Sequence, residues 1–145
     1  MAVMKEVKLK ELFMGKLKHG ADLLEEITDI CKEKNIQLGR VEAIGAVQKA
    51  VIGYYHQDKR EYEYLNLDKH LEILNLTGNI SIKGGNPMVH AHVTLADAKG
   101  KAFGGHLAPG TIIFACECVI EAFDGVILKR EFDEETGLPL WNIEK

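Results

Sequence analysis

The chain has 145 residues, of which 46% are hydrophobic and 28% charged, and it carries a net charge of -4. That size and balance suit one folded domain over residues 1–145, and they exclude disorder and a protein built chiefly to grip phosphates, which would gather Lys and Arg on one surface. The longest apolar stretch, Thr111 to Ile120, is interrupted by Glu117 and too short to cross a bilayer, and Met1 to Lys10 lacks the apolar run of a secretory signal, so no membrane partner and a cytoplasmic home are expected.

In chain order, Val7, Leu9, Phe13, Met14 and Leu17 fit an opening strand, with Gly15 weakening it and a turn over Lys16 to Gly20. From Ala21 the apolar residues Leu23, Leu24, Ile27, Ile30 and Cys31 fall on one helical face, which predicts the principal helix over about 21–34. Acidic Asp22, Glu25 and Glu26 at its start and Lys32 and Lys34 at its end match the helix dipole, and Asn35 suits the end cap. Strands are then expected at Val41 to Val47, Ala50 to Tyr55, Glu61 to Leu67 and Leu71 to Ile82, the last with a bulge or bend at Gly78-Asn79. After a turn at Gly84 to Pro87 come Val89 to Leu95, Ala102 to Leu107 and Ile112 to Phe123. Asp124-Gly125 turns into a last strand, Val126 to Phe132, followed by a solvated acidic tail that begins at Asp133-Glu134-Glu135. One helix among many antiparallel strands is an α+β fold with its core over about 7–132.

The chemistry concentrates between Asn86 and Gly110. Side chains of a strand alternate faces, so His90, His92 and Thr94 share one side while Val89, Ala91, Val93 and Leu95 share an apolar one that turns inward. Asp97-Ala98-Lys99-Gly100 fits a type I turn with Gly100 left-handed, closing a hairpin with a glycine bulge. Counting back from Asp97 opposite Lys101 sets Val93 against Gly105 and His92 against His106. His106 thereby joins the two histidines, and Phe103 and Leu107 join the apolar side; a slip of one residue would reverse this.

Three neutral imidazoles brought together in this way ligate a divalent ion and leave a fourth position open. Zinc is the first choice; nickel, iron and manganese accept the same ligands. Gly104 and Gly105 are expected to leave room beside the site. Glu117 is the candidate fourth ligand or general base, should its strand lie beside the histidines. Cys116 and Cys118 point opposite to Glu117 and read as core thiols, while His19, His56 and His70 read as loop or surface positions. The His-x-His pair is unlike that of cupin barrels, which follow it with a glutamate where Leu95 and Ala96 stand here.

Leu71 to Ser81, His90-Ala91-His92-Val93, Gly104-Gly105-His106-Leu107 and Glu117, with Gly20-Ala21-Asp22 and Ile44-Gly45-Ala46 before them, resemble the plants-and-prokaryotes conserved (PPC) domain. The likeness runs from about Val7 to Phe132. It implies an α+β fold with a mainly antiparallel sheet, a homotrimer, and metal on the three matching histidines. Prokaryotic members are single domains without a settled biochemical role. In plants the domain follows AT-hook segments in nuclear DNA-binding proteins; this chain contains no Arg-Gly-Arg-Pro hook. The readings carried forward are a trimeric metal-binding module for a small ligand or for regulation, a hydrolase or lyase using a metal-bound water with Glu117, and a DNA-associated regulator.

Overall fold

The computed structural model describes residues 1–144. The elements run β1 (Lys8–Leu17), α1 (Leu23–Glu33), β2 (Gly39–His56), β3 (Glu61–Leu67), β4 (Leu71–Lys83), β5 (Asn86–Ala96), β6 (Ala102–Leu107), β7 (Ile112–Asp124), β8 (Arg130–Phe132) and β9 (Pro139–Trp141). Seven strands form one antiparallel sheet in the order β1-β7-β2-β4-β5-β6, with β3 on β2, and β8 pairs with β9 in a second, two-stranded sheet. This is the expected α+β fold.

The single helix begins where its capping chemistry allows. Asp22 is the N-cap rather than a helical residue, and its carboxylate accepts the Glu25 N–H at 3.0 Å and the Gly110 N–H at 2.6 Å. At the other end Asn35 takes the left-handed conformation, φ +52°, that an asparagine tolerates just past a helix. Leu23, Ile27 and Cys31 are buried on the face that turns to the sheet. The helix packs against β5, whose Val89, Ala91, Val93 and Leu95 are all buried. Their neighbours in the core include Val41, Val47, Leu76, Ile80, Leu107, Ile113 and Ile120. The strand that bears His90 and His92 is thus anchored by its opposite face.

Four local expectations need correcting, the first being that the strand expected over Val126 to Phe132 spans only Arg130–Phe132. Val41 to Val47 and Ala50 to Tyr55 are one long strand, β2; its first half pairs with β7 and β4, and its second half with β3 and β6. Pairing of β2 with β6 at Ile52↔Leu107 and Gly53↔His106 curls the sheet back upon itself. Gly78-Asn79 holds no bulge; the β4–β5 register shifts instead between Ile73 and Asn75. Gly78 is there because a Cβ would stand 2.6 Å from the His90 carbonyl oxygen and 2.8 Å from the Ala91 Cβ, so only glycine lets β4 approach β5. Finally, the acidic tail is folded. Arg130–Phe132 pairs with Pro139–Trp141, and Asp133 closes the turn by accepting the Thr136 N–H at 2.9 Å and hydroxyl at 2.7 Å.

The β5–β6 hairpin has the expected register: His92↔His106, Val93↔Gly105 and Leu95↔Phe103. Its turn is tied by Asp97 N–H to Lys101 O at 3.0 Å and Gly100 N–H to Asp97 O at 2.9 Å. The Asp97 carboxylate also accepts the N–H groups of Lys99 and Lys101, both at 2.9 Å. Gly100 has φ +77° with open space around an added Cβ, so a side chain there costs backbone strain alone. Gly100→Val is expected to destabilise the protein by about 2 kcal/mol, seen as a fall in Tm of about 6 °C. An unchanged Tm would show that the turn bears the substitution without strain.

Candidate metal centre

Rows of paired residues cross the side of the sheet turned away from α1, and they place the site. One runs Leu12–Glu121–Arg40–Asn79–His90, the next Met14–Val119–Glu42–Thr77–His92–His106. His90, His92 and His106 meet at the end of these rows. Their ring centroids are 5.1 Å apart for His90–His92, 5.2 Å for His90–His106 and 5.8 Å for His92–His106. One nitrogen of each ring lies within 4.8 Å of the other two.

The surroundings suit an ion. His106 Nδ1 is buried without a hydrogen-bond partner, the one such side-chain atom among the described residues. An orphaned nitrogen of this kind costs free energy unless something fills its lone pair. Burial, then the charge of Arg130, then His106 and His92, push the His90 imidazole down to about 4. Burial and then His92 lower His106 as well. Both rings are therefore neutral at pH 7, which is the form that binds metal.

That depression carries a sign. In an unfolded chain a histidine protonates near pH 6.5. Between there and about 4, the unfolded chain holds a proton that folded His90 does not. The stability due to this ring is thus complete above about 6.5 and is lost as pH falls toward the folded value. The Tm of metal-free protein should decline through that window, and His90→Gln should flatten the decline. Identical pH profiles for the two proteins would refute this.

Sequence reasoning passed over five neighbours: Tyr62, Tyr64, Gly53, Arg130 and Trp141. The Tyr62 ring lies 5.0 Å from that of His106 and stacks at 5.9 Å on Tyr64, which makes an aromatic wall on β3. Gly53 gives that wall its space: a Cβ would come 3.2 Å from Tyr62 Cδ1, 3.3 Å from Tyr64 Cε1 and 3.5 Å from His106 Cβ. Of the glycines expected to open the site, Gly104 has only ordinary contacts, whereas Gly105 serves the closure of β6 onto β2, since a Cβ would lie 2.8 Å from the Gly53 carbonyl oxygen. Arg130, 8% exposed, donates to Ser81 Oγ at 2.9 Å, Asn79 Oδ1 at 2.8 Å and Pro139 O at 3.0 Å. Trp141 lies over its guanidinium at 5.2 Å and donates to Ser81 Oγ at 3.0 Å. The only advance signals were the alternating tyrosines of β3 and a lone Trp in an acidic tail.

Glu117 does not join the histidines within one copy of the chain. It is exposed on the same side of the sheet, opposite Ile44 on β2. From there to His92 the sheet steps from β7 through β2 and β4 to β5, three strand spacings or about 14 Å, far beyond a bond to a shared ion. Cys116 and Cys118 are buried on the core side as expected, and burial pushes the thiols of Cys116 and Cys31 up to about 12. His56 meets Glu63 and His19 meets the Phe114 carbonyl, both away from the triad.

Fold and site together define a small α+β domain whose curled antiparallel sheet offers three histidines of the metal-binding kind on its open side. The chain belongs to the Plants and Prokaryotes Conserved (PCC) domain family, whose model matches residues 4–124. It is similar to a metal-containing protein of Archaeoglobus fulgidus, with 42% identity, TM-score 0.92 and coverage of 97% of this chain and 99% of that one. A plant- and prokaryote-conserved protein of Pyrococcus horikoshii shares 33% identity with TM-score 0.93 over 99% of each chain. A candidate DNA-binding protein of Bacteroides thetaiotaomicron shares 25% identity with TM-score 0.87 over 99% of this chain and 100% of that one. Two curated relatives from Synechococcus strains, both named bifunctional protein GlmU, are 34% identical, and the chain spans about a fifth of their length, 19% and 18%. Among the described residues no helix is long and apolar enough to cross a membrane.

Proposed function

We propose that this chain is a metal-binding PCC-domain protein of the cytoplasm that holds one divalent ion, zinc first, on His90, His92 and His106, and works as a homotrimeric small-ligand-binding or regulatory module. The observation that carries the reading is the convergence of three imidazoles within 4.8 Å, one with its Nδ1 buried and unpartnered. A site of three histidines keeps a coordination position for a ligand, unlike a closed structural zinc site. Bound zinc would supply a Lewis acid there. The hydrolase or lyase reading is weaker, because Glu117 stands three strands away and no other carboxylate joins the triad among the described residues. The DNA reading has the Bacteroides likeness behind it, but the net charge of -4 opposes it. Self-association is supported by the family resemblance and by exposed Leu12, Met14 and Ile44 on the outer side of β1 and β2.

The test is metal analysis of protein purified without chelator or added metal, followed by titration with zinc. About one equivalent per chain is the expected result, with a rise in Tm on loading. Protein that carries less than about a tenth of an equivalent and binds none on titration would end the reading.

A further inference from the structure

A cavity of about 560 Å³ opens against His90 and His92. Its charged lining is one-sided: among the described residues Lys5 and Arg40 stand in its wall and no carboxylate does. Arg40 has two acidic neighbours, Glu42 and Glu121, but neither lines the cavity. Behind the wall the imbalance deepens. Arg130 is 92% buried, each of its three acceptors is neutral, and no ion pair reaches it among the described residues. Buried charges are ordinarily matched by an opposite charge, because an unmatched one is costly in a low-dielectric surrounding. A divalent ion on the three histidines would add two more positive charges and no compensating anion. Beyond Thr77 and Asn79 the wall is mostly apolar, with Phe123, Leu128 and Trp141 among its residues.

We propose that this cavity takes a small organic acid, its carboxylate directed to the open position beside His90 and His92 and its apolar body lying along Phe123, Leu128 and Trp141. The inference rests on the metal-centre reading and names the ligand class for it. The carboxylate supplies the negative charge that the chain itself withholds, which is also why Glu117 need not be near. The C-terminal hairpin then has a part in recognition. It carries Arg130 and Trp141 and lies beyond residues 4–124, the span that the family model matches. Arg130 acts as a positioning residue, fixing Asn79 and Trp141 at the cavity wall.

Trp141 is the only tryptophan of the chain, so its emission reports on this cavity alone. The probes are hexanoate and hexan-1-ol, titrated separately into the zinc-loaded full chain, with zinc content measured in the same samples. Hexanoate should shift Trp141 emission saturably and bind at least about tenfold more tightly than the alcohol, the order expected of a charge-assisted contact. Lys5→Gln and Arg40→Gln, both at exposed positions, should each weaken hexanoate by a larger factor than hexan-1-ol. Equal binding of acid and alcohol, or no emission change in protein that holds zinc, overturns the organic-acid inference and leaves the metal centre standing. Protein that takes up no zinc overturns the metal centre. In that protein, hexanoate binding that Arg40→Gln weakens still supports an anion cavity, and absence of binding overturns it.

Discussion

Replacing His92 with alanine is expected to lower zinc affinity by at least about 100-fold, since even the outer-shell partners of metal ligands are worth about 10- to 100-fold. A first-shell donor should exceed them. His92 is the most informative of the three to change because it is exposed, whereas His90 and His106 are half-buried. Truncation at a solvent-facing strand position removes the ligand with little effect on packing, about 0.5 kcal/mol or less. The metal-free variant should therefore melt with the wild type, and only the zinc-induced rise in Tm should vanish. His56→Ala is the control: His56 pairs with Glu63 and stands outside the triad, so its zinc affinity should match the wild type. Competition against a chromophoric chelator measures both. Equal losses in the two variants would overturn the assignment of the site.

The hairpin that makes this site was legible because every constraint on it is local. Alternation fixed the faces of β5, Asp97 and Gly100 fixed the turn, and together they fixed His92 against His106. The distance to Glu117 was of another kind. Alternation put Glu117 on the correct face, but which strands lie between β7 and β5 depends on non-local pairing that no short pattern encodes. Gly78 shows the same limit. A glycine within a strand marks either a bulge or a close approach, and the neighbouring strand, here His90 and Ala91, decides which. The C-terminal hairpin was hidden for a further reason. Asp133, Glu134 and Glu135 look like a solvated run, yet Asp133 caps a turn, and the backbone carbonyls of Glu134 and Glu135 accept from Arg60 at 2.8 and 3.2 Å. Charge alone does not distinguish a tail from a turn.

Gly45→Val should be among the most damaging single changes outside the triad, costing about 3–5 kcal/mol from backbone strain plus overpacking. Gly45 has φ +149° at the point where β2 shifts register against β4, between Ala43 and Gly45. A Cβ there would stand 2.1 Å from the Ala115 carbonyl oxygen and 2.8 Å from the Cys116 Cα, both backbone atoms of β7 that cannot swing aside. The residue thus meets two penalties at once, and relief of either would pull β2 from β7. Since β2 also pairs with β4 and β6, the loss should spread to the histidines, so zinc affinity and stability fall together, unlike the outcome for His92→Ala. Gly15→Val is the matched comparison. Gly15 lies within β1 opposite Cys118, has nothing within 4 Å of an added Cβ, and is free of positive φ. Valine favours strands there, so its Tm should equal or exceed that of the wild type. Thermal melts of the two variants decide the matter: a Tm fall of about 10 °C for Gly45→Val with none for Gly15→Val is expected. A Gly45→Val protein as stable as the wild type would show that β2 can cross β7 without its glycine.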